Sequence, residues 1–300
     1  GREQAVGPPP PGRAARAPLG GRLPGMSLVA TDAVVLHAFD YLESSRVLRL
    51  ATREHGVQSV LARGARRSQR RFGSGLDLFA EGQAHYHARP GRELHTLATF
   101  DVGRARLALG LDLERFGAAA ALAELVLRFA RDEETPAWYD ELVGALDAIA
   151  GAAPGGVRTA GLGGAWRLVA ALGFAPAIDA CAGCHDAVDP DATVAFSHPA
   201  GGALCAACAG AGGGRRRLPP EARARLRSWL HATRDVDALA PLDAASARAH
   251  LRLLREFLHE HLADGRPLRA LASWEGERWG GDAGASAAPA SATDRTDVAG

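Results

Sequence analysis

Residues 47–62 read VLRLATREHGVQSVLA. Apolar and polar side chains alternate near period two in residues 47–52, and a second β-rich run follows at residues 57–62. The His55-Gly56 pair between the two runs is typical of a turn. This stretch therefore predicts two strands joined by a short turn.

Further strand-like runs lie on both sides of this stretch. Residues 33–39 are β-rich, and residues 76–87 and 93–100 follow, separated by a turn at Arg89-Pro90-Gly91. Five short strands with glycine-containing turns within ~75 residues are typical of a small barrel or sandwich. We favour a five-stranded barrel of the OB type.

The apolar period changes after Gly103. Apolar residues recur at intervals of three and four, as amphipathic helices require. The pattern predicts helices at residues 111–129, from Pro136 to residue 149, at 166–172, from residue 220 to 230, and at 245–262. The predicted fold class is α+β: an OB-fold β-barrel at residues 26–103, then a helical domain at 104–274 that contains an inserted module at 179–211.

The two ends of the chain have little to bury. Residues 1–25 are rich in Pro, Gly, Ala and Arg, and residues 275–300 are equally low in complexity. We expect a disordered extension and a disordered tail. Met26 is the only methionine, which suggests a translational start there.

Composition excludes several classes of chemistry. The formal net charge is +1, and all 35 basic residues are arginine. A Walker-A phosphate loop and a Schiff-base enzyme each require a lysine, so this chain can form neither. No apolar run approaches the ~18 residues of a membrane helix, and no catalytic motif is present. We expect a non-enzymatic, intracellular protein with no membrane segment.

Four cysteines form a pattern with metal-ligand spacing. Cys181-Ala-Gly-Cys184 and Cys205-Ala-Ala-Cys208 are separated by twenty residues that include a predicted β-hairpin. Two such knuckles can present four thiolates to a tetrahedral zinc ion. Because all four positions would be filled by sulfur, we expect a structural zinc site, a zinc ribbon, with no open position for catalysis.

Other interpretations of the cysteines remain open. Two disulfides, a redox pair and an iron–sulfur cluster each use this residue type. His185 and His198 lie close enough in sequence to compete as ligands. His85 and His87 alternate along a predicted strand and share a face, so they could hold a metal, although a polar sheet face explains them as well.

An arginine-rich segment follows the third predicted strand. Five arginines lie within nine residues: Arg63, Arg66, Arg67, Arg70 and Arg71. Guanidinium groups bind phosphate in a bidentate manner, and Phe72 or Tyr41 could stack on bases. The segment predicts nucleic-acid binding, with a solvated basic loop as the alternative. Arg215-Arg216-Arg217 is a second basic run that could equally be a linker.

Several motifs occur in one order along residues 31–274. They are VVL at 34–36, YLESS at 41–45, TREHG at 52–56, GARR at 64–67, LGFAP at 172–176, the two cysteine knuckles and RPLRAL at 266–271. In this order the chain resembles the RecO family of bacterial recombination mediators. The family pattern usually mixes lysine with arginine in the basic loop, and it commonly has glycine where this chain has His185 and Ala209.

The resemblance implies a function in the repair of double-strand breaks and gaps. It implies binding of single- and double-stranded DNA, ATP-independent annealing of complementary strands, and help in RecA loading together with RecR. It also implies contact with the C-terminal tail of the single-stranded-DNA-binding protein, and a nucleoid-associated location in the bacterial cytoplasm. The five loop arginines become the expected DNA contacts.

A second function remains open from the residues themselves. The zinc module and the apolar helices could form a protein-interaction adaptor that reaches DNA only through a partner. In that case arginines such as Arg128 would hold the carboxylates of an acidic tail. A nuclease is disfavoured, because no carboxylate cluster for Mg²⁺ is evident.

Overall fold

The structure, a computed structural model, describes residues 27–65, 76–130, 137–210, 216–231, 240–261 and 266–276. Its amino-terminal part is a closed barrel of five strands in the order β1-β2-β3-β5-β4. The strands are β1 (Ser27–Tyr41), β2 (Ser45–Thr52), β3 (Gly56–Ala62), β4 (Glu81–Ala88) and β5 (Leu94–Arg104). The pairs are antiparallel except β3 with β5, which is parallel. The predicted OB-type barrel is confirmed.

The barrel encloses a small apolar core of its own. Alternate residues of each strand face inward, because side chains along a strand point to opposite faces. The buried side chains of this core are Ala33, Val35, Leu48, Leu50, Val60, Ala62, Leu76, Ala84, Tyr86, Leu97 and Phe100.

Strand β4 starts later than the sequence pattern predicts. Residues 76–80 form turns rather than a strand, and β4 begins at Glu81. Phe79 has φ 66°, and its N–H donates to the carbonyl of Val35 at 2.8 Å. Its buried ring packs edge-on against Phe116. Burial of this one ring against the helices overrides the β pattern.

The carboxyl-terminal part is helical and carries a small three-stranded sheet. Its helices are α1 (Ala108–Leu111), α2 (Leu113–Phe129), α3 (Ala137–Gly151), α4 (Val157–Ala171), α5 (Ala206–Cys208), α6 (Pro220–His231), α7 (Ala244–His261) and α8 (Arg269–Gly276). The sheet has the order β7-β6-β8, from β6 (Val194–Ser197), β7 (Gly202–Leu204) and β8 (Arg216–Leu218). The hairpin β6–β7 is the one predicted between the knuckles.

Helix α4 is longer than predicted and lies at the centre of the helical part. It begins at Val157 rather than near residue 166, and runs through Gly161, Gly163 and Gly164. A Cβ at Gly161 would lie 2.7 Å from the ring of Trp274, and one at Gly163 would lie 2.8 Å from Trp229. Glycine occupies these helical positions because neighbouring side chains fill the space that a Cβ would need.

Barrel and helices share one hydrophobic core. Val34, Leu36 and Ala51 of the barrel and Phe79 of the following turn are buried in the same cluster as the helical core residues. A register shift between Val35 and His37 places Leu36 against the helices, while Ala38 packs in the barrel interior. The two parts are therefore packed as one unit.

Candidate metal centre and nucleic-acid interface

The four cysteines come together at the edge of the small sheet. Cys181 and Cys184 lie in the turns before β6, whereas Cys205 is the N-cap and Cys208 the last residue of the short helix α5 after β7. Their sulfur atoms all lie within 4.8 Å of one another, and all four are free thiols. Cys181 is buried, Cys184 is exposed, and the other two are half-buried.

The spacing of the sulfurs fits a tetrahedral ion. With metal–sulfur bonds of ~2.3 Å, two ligands of a tetrahedron are separated by roughly 3.8 Å. Cys184 Sγ and Cys205 Sγ are 3.7 Å apart. The donor set and this distance fit a tetrahedral zinc ion.

Backbone N–H groups favour the thiolate form of Cys181. Hydrogen bonds from the backbone of Cys184 and Cys205 lower the pKa of the Cys181 thiol to about 6. A hydrogen bond to Cys205 raises the pKa of Cys208. Because cysteines bind a metal ion as thiolates, metal affinity at this cluster should depend on pH.

The residues that follow the two knuckles, His185 and Ala209, differ in their backbone conformation. His185 has φ 66°, in the left-handed region that costs a non-glycine residue energy. Ala209 has φ −63° and ψ −38°, an ordinary right-handed conformation. Of these two positions, only His185 after the first knuckle has a strained backbone conformation.

The histidines that the sequence offered as possible ligands are outside the sulfur cluster. His198 Nε2 lies 3.1 Å from Glu256 Oε2, and burial lowers the pKa of this imidazole. His85 Nε2 lies 3.9 Å from Asp101 Oδ2. Among the residues that the structure describes, the cysteines are the one group of three or more potential ligands.

The second basic run is partly built into the small sheet. Arg216 and Arg217 lie in β8, which pairs with β6 and was not predicted. Arg216 forms a 2.5 Å ion pair with Glu256 on α7, whereas Arg217 is exposed and Arg215 lies outside the described residues. For Arg216, the linker interpretation is wrong, because a sheet strand and a carboxylate hold it.

Of the predicted DNA-contacting arginines, the structure describes Arg63. It is exposed and directly follows β3, and the next residue, Gly64, has φ 72°. Arg66, Arg67, Arg70 and Arg71, together with Phe72, lie outside the described residues. The start of the arginine-rich segment is thus placed at one end of the barrel.

A charged network at the junction of the two parts was missed by the sequence reasoning. The guanidinium of Arg106 is almost fully buried and donates to Asp147 Oδ1 at 2.6 Å, Glu81 Oε2 at 2.6 Å and the carbonyl of Phe79 at 3.0 Å. Arg53 also bridges the parts, bonding Asp140 at 2.7 Å. These residues are far apart in sequence, so no local pattern indicates the network.

A cleft of about 540 Å³ opens between α7 and the segment before α8. Its lining includes Arg128, Arg255, His259, Leu258 and Leu268. Arg128 donates to the carbonyls of Arg266 and Pro267 at 2.9 and 3.0 Å. The cleft therefore combines apolar walls with cationic groups, and Glu256 and Glu260 also line it.

Within the described part of the chain, no helix is long and apolar enough to cross a membrane.

Comparison with known proteins covers both parts of the chain. Residues 26–105 match the family model Recombination protein O N terminal, and residues 110–271 match Recombination protein O C terminal. DNA repair protein RecO of Anaeromyxobacter sp. (strain Fw109-5) is 38% identical over 241 residues, 79% of this chain and 91% of that protein.

Other relatives carry the same name. DNA repair protein RecO of Anaeromyxobacter dehalogenans (strain 2CP-C) is 39% identical over 255 residues, 82% of this chain and 95% of that protein. The protein of that name from Rubrobacter xylanophilus is 31% identical over 238 residues, 79% of this chain and 92% of its own length.

Proposed function

The chain belongs to the recombination protein O family, which acts in DNA repair and recombination, and we propose that it is a DNA-binding recombination mediator that anneals complementary strands without ATP. The observation that carries this proposal is the exposed Arg63 at the end of β3, where the arginine-rich segment leaves a closed OB-type barrel. The DNA-binding unit would be the predicted domain of residues 26–103.

Charge neutralisation provides the mechanism. Two complementary strands repel each other through their phosphates, and guanidinium groups bind phosphate oxygens bidentately. Arg63, Arg66, Arg67, Arg70 and Arg71 would hold both backbones close enough for pairing to begin. Base pairing then supplies the free energy, so nucleotide hydrolysis is unnecessary, in keeping with a chain that has no lysine for a Walker-A loop.

The proposal is tested by annealing complementary oligonucleotides with the full chain and with a variant in which the five loop arginines are alanine. We expect annealing to slow at least about tenfold in the variant. The salt slope of single-strand binding should become shallower by ~0.7 for each phosphate that the variant no longer neutralises.

The matched control changes Arg248 and Arg252 to alanine, since both are exposed on α7 in the helical part. This control should anneal within about twofold of the parent. Equal slowing in both variants would show that overall charge, rather than the barrel loop, accounts for annealing. A folded parent that does not anneal would refute the mediator function.

We also propose that the four cysteines hold a structural zinc ion. Cys181, Cys184, Cys205 and Cys208 would bind it as thiolates, and the ion would supply folding energy to residues 179–211. Metal analysis of the purified protein should give one zinc per chain. Chelation should lower the unfolding midpoint by more than about 5 °C, whereas removal of the metal without any loss of stability would contradict a structural role.

Contact with partner proteins is assigned to the helical part. The cleft beside α7 would receive the acidic C-terminal tail of the single-stranded-DNA-binding protein, because Arg128, Arg255 and Arg266 lie around its apolar wall. RecR would also bind this chain, and the two together would assist RecA loading. A labelled acidic tail peptide should bind the parent, bind Arg255→Ala about tenfold more weakly, and bind Arg248→Ala normally. If the tail peptide proves necessary for DNA binding, the adaptor function replaces the mediator function.

A further inference from the structure

The four cysteines differ in how far solvent reaches them. Cys184 belongs to an exposed run, residues 183–187, and its Sγ lies 3.3 Å from Asp186 Oδ2. Cys181 is fully buried and Cys208 is half-buried. The Sγ of Cys208 lies beneath the first knuckle, 3.2 Å from the point where a Cβ would stand at Gly183. A small oxidant in water would therefore meet the sulfur of Cys184 first.

The sulfur of Cys205 is close enough to react with that of Cys184. The two Sγ atoms are 3.7 Å apart, and a disulfide bond joins sulfurs ~2.05 Å apart. Cys184 lies in a turn, and Cys205 is the N-cap of the short helix α5. Rotation about the two Cα–Cβ bonds can close a gap of this size, so the backbone can keep its course.

Cys181 is a poorer reaction partner than Cys205, because backbone N–H groups hold its sulfur. Gly183 and Cys205 donate to Cys181 Sγ at 3.4 and 3.3 Å. The sulfur of Cys205 accepts one such bond, from Cys208 at 3.5 Å. A buried and fixed thiol reacts less readily than an accessible one. These contacts leave Cys205 as the partner of the exposed Cys184.

We propose that Cys184 and Cys205 are a redox pair, which hydrogen peroxide converts into a disulfide bond with release of the metal ion. This inference rests on the proposed zinc site and deepens it, since the same four cysteines would have a second, metal-free state. Oxidation removes two of the four thiolates, and the remaining two cannot fill a tetrahedral site.

The reaction takes two electrons from the redox pair. The Cys184 thiolate attacks peroxide, so that an S–O bond forms, the O–O bond breaks, and the hydroxide released takes a proton from solvent to become water. The Cys205 thiolate then attacks the sulfur of the resulting sulfenic acid. The S–S bond forms, the S–O bond breaks, and the second hydroxide also leaves as water after taking a proton.

The disulfide bond would keep the two knuckles joined after the ion leaves. It connects one knuckle to the other and closes a loop that contains β6 and β7. Such a cross-link lowers the entropy of the unfolded chain. Contacts with α7 also persist, since the ring of Phe196 lies 6.2 Å from that of Phe257. The module would therefore stay folded without the ion, and reduction with zinc present would restore the metal centre.

The test exposes the reduced, zinc-loaded full chain to excess hydrogen peroxide. We expect release of zinc, followed with a chromogenic chelator, together with the loss of two thiols for each ion. A protease that cleaves before aspartate separates the knuckles, because Asp179 and Asp186 lie on either side of the first one. Mass spectrometry of these peptides should find Cys184 joined to Cys205, with the other two cysteines still open to alkylation.

Two variants that each lack one ligand distinguish the redox pair from the cluster as a whole. Cys208→Ser keeps the redox pair and should form the disulfide at least as fast as the parent. Cys184→Ser lacks the exposed sulfur and should lose thiols at least about tenfold more slowly. Met26→Leu removes the only methionine and should react like the parent, because the oxidised sulfur belongs to cysteine.

Thermal unfolding gives a second readout, which does not depend on the variants. The peroxide-treated, zinc-free parent should have a higher unfolding midpoint than the reduced parent stripped by a chelator, since only the former is cross-linked. Dithiothreitol should abolish this difference, and dithiothreitol followed by zinc should restore the midpoint of the untreated protein.

The outcomes separate the two proposals. Zinc that stays bound in excess peroxide, a disulfide within one knuckle, or equal thiol loss in Cys184→Ser and Cys208→Ser would refute the redox pair and leave the structural zinc site standing. A reduced, folded parent that binds no zinc would instead refute the zinc site, and the redox pair with it.

Discussion

At the scale of single residues, His250 is a buried titratable group in the helical core. It lies on α7, edge-on to Trp229 with ring centroids 4.9 Å apart. Burial, reinforced by the charge of Arg225, lowers the pKa of His250 to about 4. The imidazole is therefore neutral in the folded protein at neutral pH.

This depressed pKa predicts a loss of stability in mild acid. An unfolded histidine titrates near pH ~6.5, so between that pH and about 4 the unfolded state binds more protons than the folded state. The contribution of His250 to stability is unaffected above this window and falls by about 2 kcal/mol between pH 7 and 5.

Denaturant unfolding of the parent and of His250→Leu at pH 7 and pH 5 would measure this effect. The difference in stability between the two pH values should be smaller in the variant by about 2 kcal/mol. His198, which lies outside this contact, continues to titrate in both proteins. An identical pH dependence in both proteins would mean that His250 is not buried as described.

The residues of a site could be predicted from the sequence where their spacing carries the signal. They could not be predicted where the site depends on tertiary contacts. The two knuckles predicted the four cysteines that the structure brings together. Arg106 had no such signal, because its partners Glu81 and Asp147 are separated from it by 25 and 41 residues.

At the scale of elements, helix α4 shows why glycine was a misleading signal. Glycine costs up to ~1 kcal/mol in a helix relative to alanine, so a glycine-rich run usually weakens a helix prediction. In α4, close packing offsets that cost. A Cβ at Gly164 would lie 2.5 Å from the Cβ of Ala145 on α3.

Two glycine-to-alanine substitutions should therefore have different effects on the stability of the protein. Gly164→Ala should destabilise the protein by about 1–3 kcal/mol through overpacking. Gly144→Ala on α3, where an added Cβ meets nothing within 4 Å, should be neutral or stabilise it by up to about 1 kcal/mol. Thermal unfolding of both variants measures the difference, and stabilisation by Gly164→Ala would show that α3 and α4 are less tightly packed.

At the scale of the whole molecule, the junction between barrel and helices depends on Arg106. Its side chain is 2% exposed and pairs with both Glu81 and Asp147. Arg104 also pairs with Asp147, but its side chain is 56% exposed. Both arginines place a positive charge beside Asp147, but Arg106 is buried and Arg104 is exposed.

Arg106→Ala should cost about 3–5 kcal/mol, because it removes the buried donor of Glu81, Asp147 and the carbonyl of Phe79 and leaves Asp147 with the exposed Arg104. Arg104→Ala should change stability little, since solvent screens an exposed pair. Denaturant unfolding followed by circular dichroism would compare them. We expect one transition in both variants, and separate unfolding of barrel and helices would contradict the shared core.

The shared core has a consequence for how the molecule would hold its ligands. If a flexible linker joined the two parts, its length and stiffness would set the effective concentration of one bound ligand near the other. Here Val34, Leu36, Ala51 and Phe79 are packed among the helices. A DNA strand on the barrel and a protein partner on the helices would therefore be held at a distance and orientation that the fold fixes. No flexible linker would vary that distance.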